Sequence, residues 1–237
     1  MRYEMAPLAI ETDRSERAAF IRRTYAHLAG AILAFVLLEL AIFNVIVPAL
    51  GLESMLQGYL HSFGLQLVVM LAFIGVGYLA RYWAMNGGSP AMQYAGLGLF
   101  IVAEAILFLP ILYIGAYFGG PTIFAQAGIL TMSLFAGLTV TVFLTGKDFS
   151  FLAPILAIAS FIMLGVVLCG FFFGGFTLGL GFSVIGVILA AGFILYDTSN
   201  IMYHFRTDQH VAAALDLFAS VAYLFFHVLR ILILTRN

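Results

Sequence analysis

Five polar residues recur at regular intervals in the last apolar stretch of the chain: Asp216, Ser220, Tyr223, His227 and Arg230. The intervals are four, three, four and three. On a helix turning about 100° per residue, they fall within an arc of roughly 80°. The other positions are mostly Ala, Val, Leu, Ile and Phe. Such a stripe turns towards a protein interior or water rather than lipid. It could line a polar path for protons or cations, or simply hydrogen-bond neighbouring helices together.

Further ionisable residues sit where an apolar environment makes them costly. Tyr196-Asp197-Thr198-Ser199-Asn200 ends the preceding apolar run, and Asp197, Asn200 and His204 share a helical face by spacing. Arg81 ends the second run. Arg81, Asp197 and Asp216 are expected at one depth, where they could form an ion-pair cluster or each face interfacial water. Glu104 lies midway along the third run and Glu39 deep in the first. A carboxyl buried there must be paired or protonated. Glu104 reads equally as a proton or ion relay and as a protonated structural donor. The hydroxyls of Thr131, Ser133, Thr139, Thr141 and Thr145 are expected to satisfy helix carbonyls.

Enzymatic patterns are incomplete. Tyr196-Asp197 matches half of an intramembrane aspartyl protease pattern, but the Gly-x-Gly-Asp half is absent, which leaves no opposed acid/base pair. Ser183, within Gly181–Gly186, lacks a strand-turn-helix nucleophile elbow and an assigned base. His27, His61, His204, His210 and His227 are scattered, which argues against a histidine metal site. The sole lysine, Lys147, lies in a loop and offers no buried amine for a Schiff base. The chain is therefore read as a non-enzyme with no resident cofactor.

The elements that must position these residues follow from composition. Hydrophobic residues make up 64% of the 237 and charged residues 9%. A soluble domain carries about a quarter charged residues, so lipid is the expected solvent. The net charge of -1 gives no basic excess for nucleic acid. One cysteine, Cys169, excludes an internal disulfide. Apolar runs fall at 24–48, 65–84, 92–115, 122–145, 151–173, 177–203 and 212–234. Each is long enough to span a bilayer as a helix. The break at Gly174-Gly175 carries no charge, but without it residues 151–203 would form one helix of about 80 Å, too long for a ~30 Å hydrocarbon core. The predicted fold is all-α, with a tail over residues 1–21 and a seven-helix bundle over 22–237. The N-terminus shows no cleavable signal pattern. Its tail reads as a solvated terminus.

Arg14, Arg17, Arg22, Arg23, Arg81, Lys147 and Arg206 fall on one side of such a bundle. The loops at 50–64, 116–121 and 173–177 carry no Lys or Arg. This places the N-terminus in the cytoplasm and, after seven crossings, the C-terminus outside.

Three stretches resemble the Bax inhibitor family, the transmembrane Bax-inhibitor-motif proteins: Gly146-Lys147-Asp148-Phe149-Ser150-Phe151-Leu152, Ile194-Leu195-Tyr196-Asp197-Thr198-Ser199-Asn200-Ile201, and Ala213-Ala214-Leu215-Asp216-Leu217-Phe218 continuing to Leu232. The resemblance runs from about residue 20 onward. It implies a bundle in which six helices surround the seventh, and a pH-controlled calcium leak. In that pattern two aspartates, on helices six and seven, share protons and contact an arginine on helix two. Asp197 matches the first aspartate and Arg81 the arginine. Ser220 occupies the second aspartate's position, with the acid Asp216 one turn earlier. Under this resemblance Asp197, Asp216, Ser220 and Arg81 form the pH gate. Asp197 and Asp216 could contact a calcium ion, while Tyr223, His227, Glu104 and Asn200 line the polar path. The Thr198–Ile201 run and Ser220 look more like a bacterial branch known as modulators of an AAA-type membrane protease. That branch implies an alternative role as a protease-binding protein in a bacterial inner membrane, with the tail as the handle. A small-solute transporter is a third class left open.

Overall fold

A computed structural model describes residues 6–86, 89–120, 122–173 and 178–236. Seven of its helical stretches are long and apolar enough to cross a bilayer. The first is α1 (Arg14–Ala41), which continues through a π-helical turn at Ile42–Ile46 into α2 (Val47–Leu50). Gly51 stops it in the left-handed region at φ 60°. There the Leu52 N–H reaches the Val47 carbonyl at 3.0 Å and the Gly51 N–H reaches Pro48 at 3.3 Å. This is a Schellman closure, and glycine adopts its backbone without a Cβ penalty.

The 50–64 segment, expected as a loop, instead contains α3 (Glu53–His61). Nine residues are too few to stand out by hydropathy. Glu53 favours the positive end of the helix, and Leu56 buries itself to hold it. The remaining helices are α4 (Phe63–Asn86), α5 (Pro90–Gly119), α6 (Thr122–Thr145), α7 (Ala153–Phe173), α8 (Leu180–Tyr203) and α9 (His210–Arg236). Pro90 opens α5 at a position where its missing N–H is harmless, whereas Pro110 removes a bond from the interior of the helix. The Gly174-Gly175 break lies outside the described residues, between α7 and α8. Among the described residues there is no strand, and the fold is all-α and polytopic.

Apolar side chains face outward along these helices. Ile155, Ile158, Phe161 and Ile162 of α7 are each more than half exposed. Water would not tolerate that face, but lipid tails would. The chain is an integral membrane protein. Of the seven spans, α9 is the most buried.

Contacts divide the chain into two units. One comprises Arg22–Leu112 with Gln209–Phe218. In it Phe218 meets the rings of Phe35 and Phe100, with centroids 5.9 and 6.1 Å away. Gly96 lets α5 approach α4 closely, since a Cβ there would lie 2.5 Å from the Ala80 carbonyl oxygen.

The other comprises Met1–Ile21, Tyr113–Asp208 and Ala219–Asn237. Leu156, Met163 and Leu189 form a core cluster between α7 and α8. In α6 the hydroxyls of Ser133, Thr141 and Thr145 bond to carbonyls one turn back at 2.7 to 2.8 Å. Thr131 and Thr139 have no hydrogen-bond partner among the described residues. The tail is not wholly solvated in this unit. Ala9 donates its N–H to Phe205 at 2.9 Å, and Thr207 donates to Pro7 at 3.2 Å. Main-chain groups of the 205–207 loop supply the partners, a signal invisible in tail composition. Helix α1 also begins at Arg14, inside the stretch read as tail.

Candidate functional site: two acid pairs on the last helix

Asp197 sits in the last two turns of α8 and is 7% exposed. Ser220 of α9 is 6% exposed and donates its hydroxyl to Asp197 Oδ2 at 2.5 Å. The pair links one helix to the other through a hydrogen bond shielded from solvent. The next residues of α8 do other work. The Ser199 hydroxyl accepts the Phe149 N–H at 3.1 Å and donates to the Tyr196 carbonyl at 2.9 Å. Asn200 accepts the N–H groups of His204 and Phe205 through its main-chain carbonyl and so ends the helix.

The α8–α9 contact continues as a polar seam away from Asp197. Tyr223 meets Phe193 edge-on, with centroids 6.4 Å apart, and meets His227 at 4.6 Å. His227 lies over Gly186, where any Cβ would collide with the imidazole. Its Nδ1 has no hydrogen-bond partner among the described residues. Arg230 donates to Ser183 Oγ at 3.1 Å and to the Leu178 carbonyl, and its guanidinium lies 5.2 Å from the Phe182 ring centre. The stripe members Ser220, Tyr223, His227 and Arg230 thus face α8.

Asp216 belongs to the other unit. Arg81 Nε of α4 lies 2.8 Å from Asp216 Oδ1. The arginine side chain is 55% exposed and the carboxyl 18%. Within its own unit, Arg81 pairs with Asp216, and within the other, Asp197 pairs with Ser220. Their α9 members are four residues apart. Glu104 is buried on α5 and has no hydrogen bond or ion pair to the described residues.

Sequence reasoning missed an exposed pair below α8. His204 Nε2 lies 3.0 Å from Asp148 Oδ2, while Asp148 Oδ1 accepts the Ser150 N–H at 2.8 Å. Slight desolvation pushes the Asp148 carboxyl up, but the Ser150 N–H and the His204 ring outweigh it and hold the group below its ordinary pKa. Tyr203 adds a hydroxyl to the Gly146 carbonyl at 2.5 Å. These residues stand more than fifty positions apart, so no spacing rule could join them. Among the described residues, no three His, Cys, Asp or Glu side chains cluster as metal ligands would.

A polytopic all-α membrane protein with a buried acid–hydroxyl pair between its last two spans is the class this geometry defines. A profile of the family described as inhibitor of apoptosis-promoting Bax1 matches residues 17–237, and the chain belongs to that family. An uncharacterised membrane protein of Vibrio cholerae is 31% identical over 173 residues, covering 72% of this chain and 75% of its own. Protein LIFEGUARD 4 of Arabidopsis thaliana is 27% identical over 219 residues, 91% and 84% of the two chains. Protein lifeguard 4 of the mouse is 32% identical over 114 residues, 45% of each chain.

Proposed function

We propose that this protein is a proton-sensitive cation leak of a bacterial inner membrane, with calcium as its cargo and the N-terminus in the cytoplasm. The Asp197–Ser220 hydrogen bond carries the reading. An anionic Asp197 accepts the serine hydroxyl and ties α9 to α8. A protonated Asp197 becomes a donor itself and is free to exchange partners. Asp216 behaves analogously within its own unit, since a proton there removes the charge that holds Arg81. Both changes have the same sign, so acid loosens α9 at each pair. Calcium prefers several hard oxygen ligands. Hydroxyl and carbonyl oxygens released along the α8–α9 seam would serve it in passing.

Calcium entry into proteoliposomes holding the purified protein tests this reading. The expected result is flux that rises as the pH falls from 8 to 6. Well-folded protein without flux at any pH would remove it. Co-purification of an AAA-type membrane protease with such non-conducting protein would favour the modulator role instead. That role needs an accessible handle, and the pairing of residues 7–9 with the 205–207 loop weighs against it.

A further inference from the structure

A cleft of about 370 Å³ opens between α1 and α5, within one unit. Its floor is made of His27, Gly30, Tyr94, Leu97, Gly98 and Ile101, with two alanines. Both glycines border open space, since a Cβ at Gly30 or Gly98 would meet nothing within 4 Å. At one end the ring of His27 is fixed. Its Nδ1 lies 2.7 Å from the Arg23 carbonyl and its Nε2 2.9 Å from the Tyr94 hydroxyl. Beyond that end α1 presents Arg22 and Arg23, both exposed. Residues 17–27 carry three arginines and no acid. Arg23, His27 and Gly30 follow one helical stripe, so the cationic end and the glycine floor are continuous.

We infer that this cleft binds a phospholipid with an anionic headgroup. One acyl chain would lie over Gly30 and Gly98, and the phosphate would sit against Arg22 and Arg23. The arginines stand where the apolar run of α1 begins, the depth at which headgroups meet hydrocarbon. Guanidinium groups suit phosphate because they offer paired donors with fixed charge. The cleft narrows the choice of occupant. One turn of helix with its side chains fills roughly 400 to 600 Å³ from its diameter and pitch. A second copy of the chain would therefore rest on this cleft without filling it, whereas a methylene chain enters it.

Native mass spectrometry of the full chain, released from mild detergent after incubation with phosphatidylglycerol or phosphatidylcholine, tests the inference. The wild-type protein should retain phosphatidylglycerol in preference to phosphatidylcholine. Gly98→Leu should lose that adduct, because a Cβ there meets nothing within 4 Å and the side chain beyond it would occupy the cleft. Arg22→Gln and Arg23→Gln should each weaken retention about fivefold. Circular dichroism and thermal unfolding matching the wild type would show that the Gly98→Leu protein is folded. Should Gly98→Leu misfold, Gly30→Leu makes the same test from the α1 side. Equal retention of the two lipids, an undiminished adduct on a folded filled variant, or loss of a dimer in place of a lipid would each overturn the inference.

Discussion

Ser220 and Asp197 join the last two spans through one buried hydrogen bond, hydroxyl to carboxyl, at 2.5 Å. Both partners are buried, and removal of the bond should be measurable. Ser220→Ala deletes the donor and leaves the carboxyl oxygen short of one partner. We expect a loss of about 1–3 kcal/mol, the range for a buried group deprived of its bond, seen as a lower midpoint in detergent-phase thermal unfolding.

Ser220→Asp should change the titration rather than only the stability. Two carboxyls at this spacing repel when both are ionised, so one proton is held by the pair. The expected outcome is a calcium-flux midpoint at higher pH than in the wild type. A variant that folds and keeps the wild-type midpoint would separate this position from proton sensing.

The Arg81–Asp216 contact should behave as a coupled pair. Arg81→Gln and Asp216→Asn are each expected to destabilise the protein. In a double-mutant cycle their effects should fall short of additivity by about 1–2 kcal/mol. Exposure of the arginine keeps this below the figure for a fully buried pair.

Asp148 offers a pH test outside the spans. Its folded pKa is depressed, so its stabilising contribution is present above the unfolded value, about 3.9, and is lost as pH falls through the lower folded value. Asp148→Asn should therefore melt below the wild type at pH 6, with the gap closing near pH 2. The gap should be small, because the carboxyl is largely exposed.

Two glycines of α5 should respond oppositely to alanine. A Cβ at Gly96 would meet the α4 backbone at Ala80 and Ala84, which cannot yield as a flexible side chain can. Gly96→Ala is expected to lower stability by about 1–3 kcal/mol. Gly98→Ala, facing open space, should be neutral or slightly stabilising through helix propensity. Thermal unfolding of the two variants in one detergent checks both.

The seven spans were legible because lipid forces long apolar runs, and the polar stripe of α9 was legible because helical spacing alone defines it. Its partners were not. Ser220 and Asp197 are 23 residues apart, Arg81 and Asp216 135. Only packing decides that the acid of α8 faces serine and the arginine of α4 faces Asp216. Arg230 illustrates the limit: its spacing places it in the stripe, but not that Ser183, Leu178 and the Phe182 ring hold it. The short helix α3 and the pairing of residues 7–9 escaped for a related reason. Both depend on main-chain bonds and a few burial contacts that composition does not record.

The most direct measurement of the central claim is calcium flux against pH for Asp197→Asn in proteoliposomes beside the wild type. Asparagine keeps the size and hydrogen-bonding capacity of the side chain but cannot gain or lose the proton. The account predicts that flux through Asp197→Asn rises clearly less between pH 8 and pH 6 than flux through the wild type, with Asp216 supplying what dependence is left. A folded Asp197→Asn protein with the wild-type profile would contradict it.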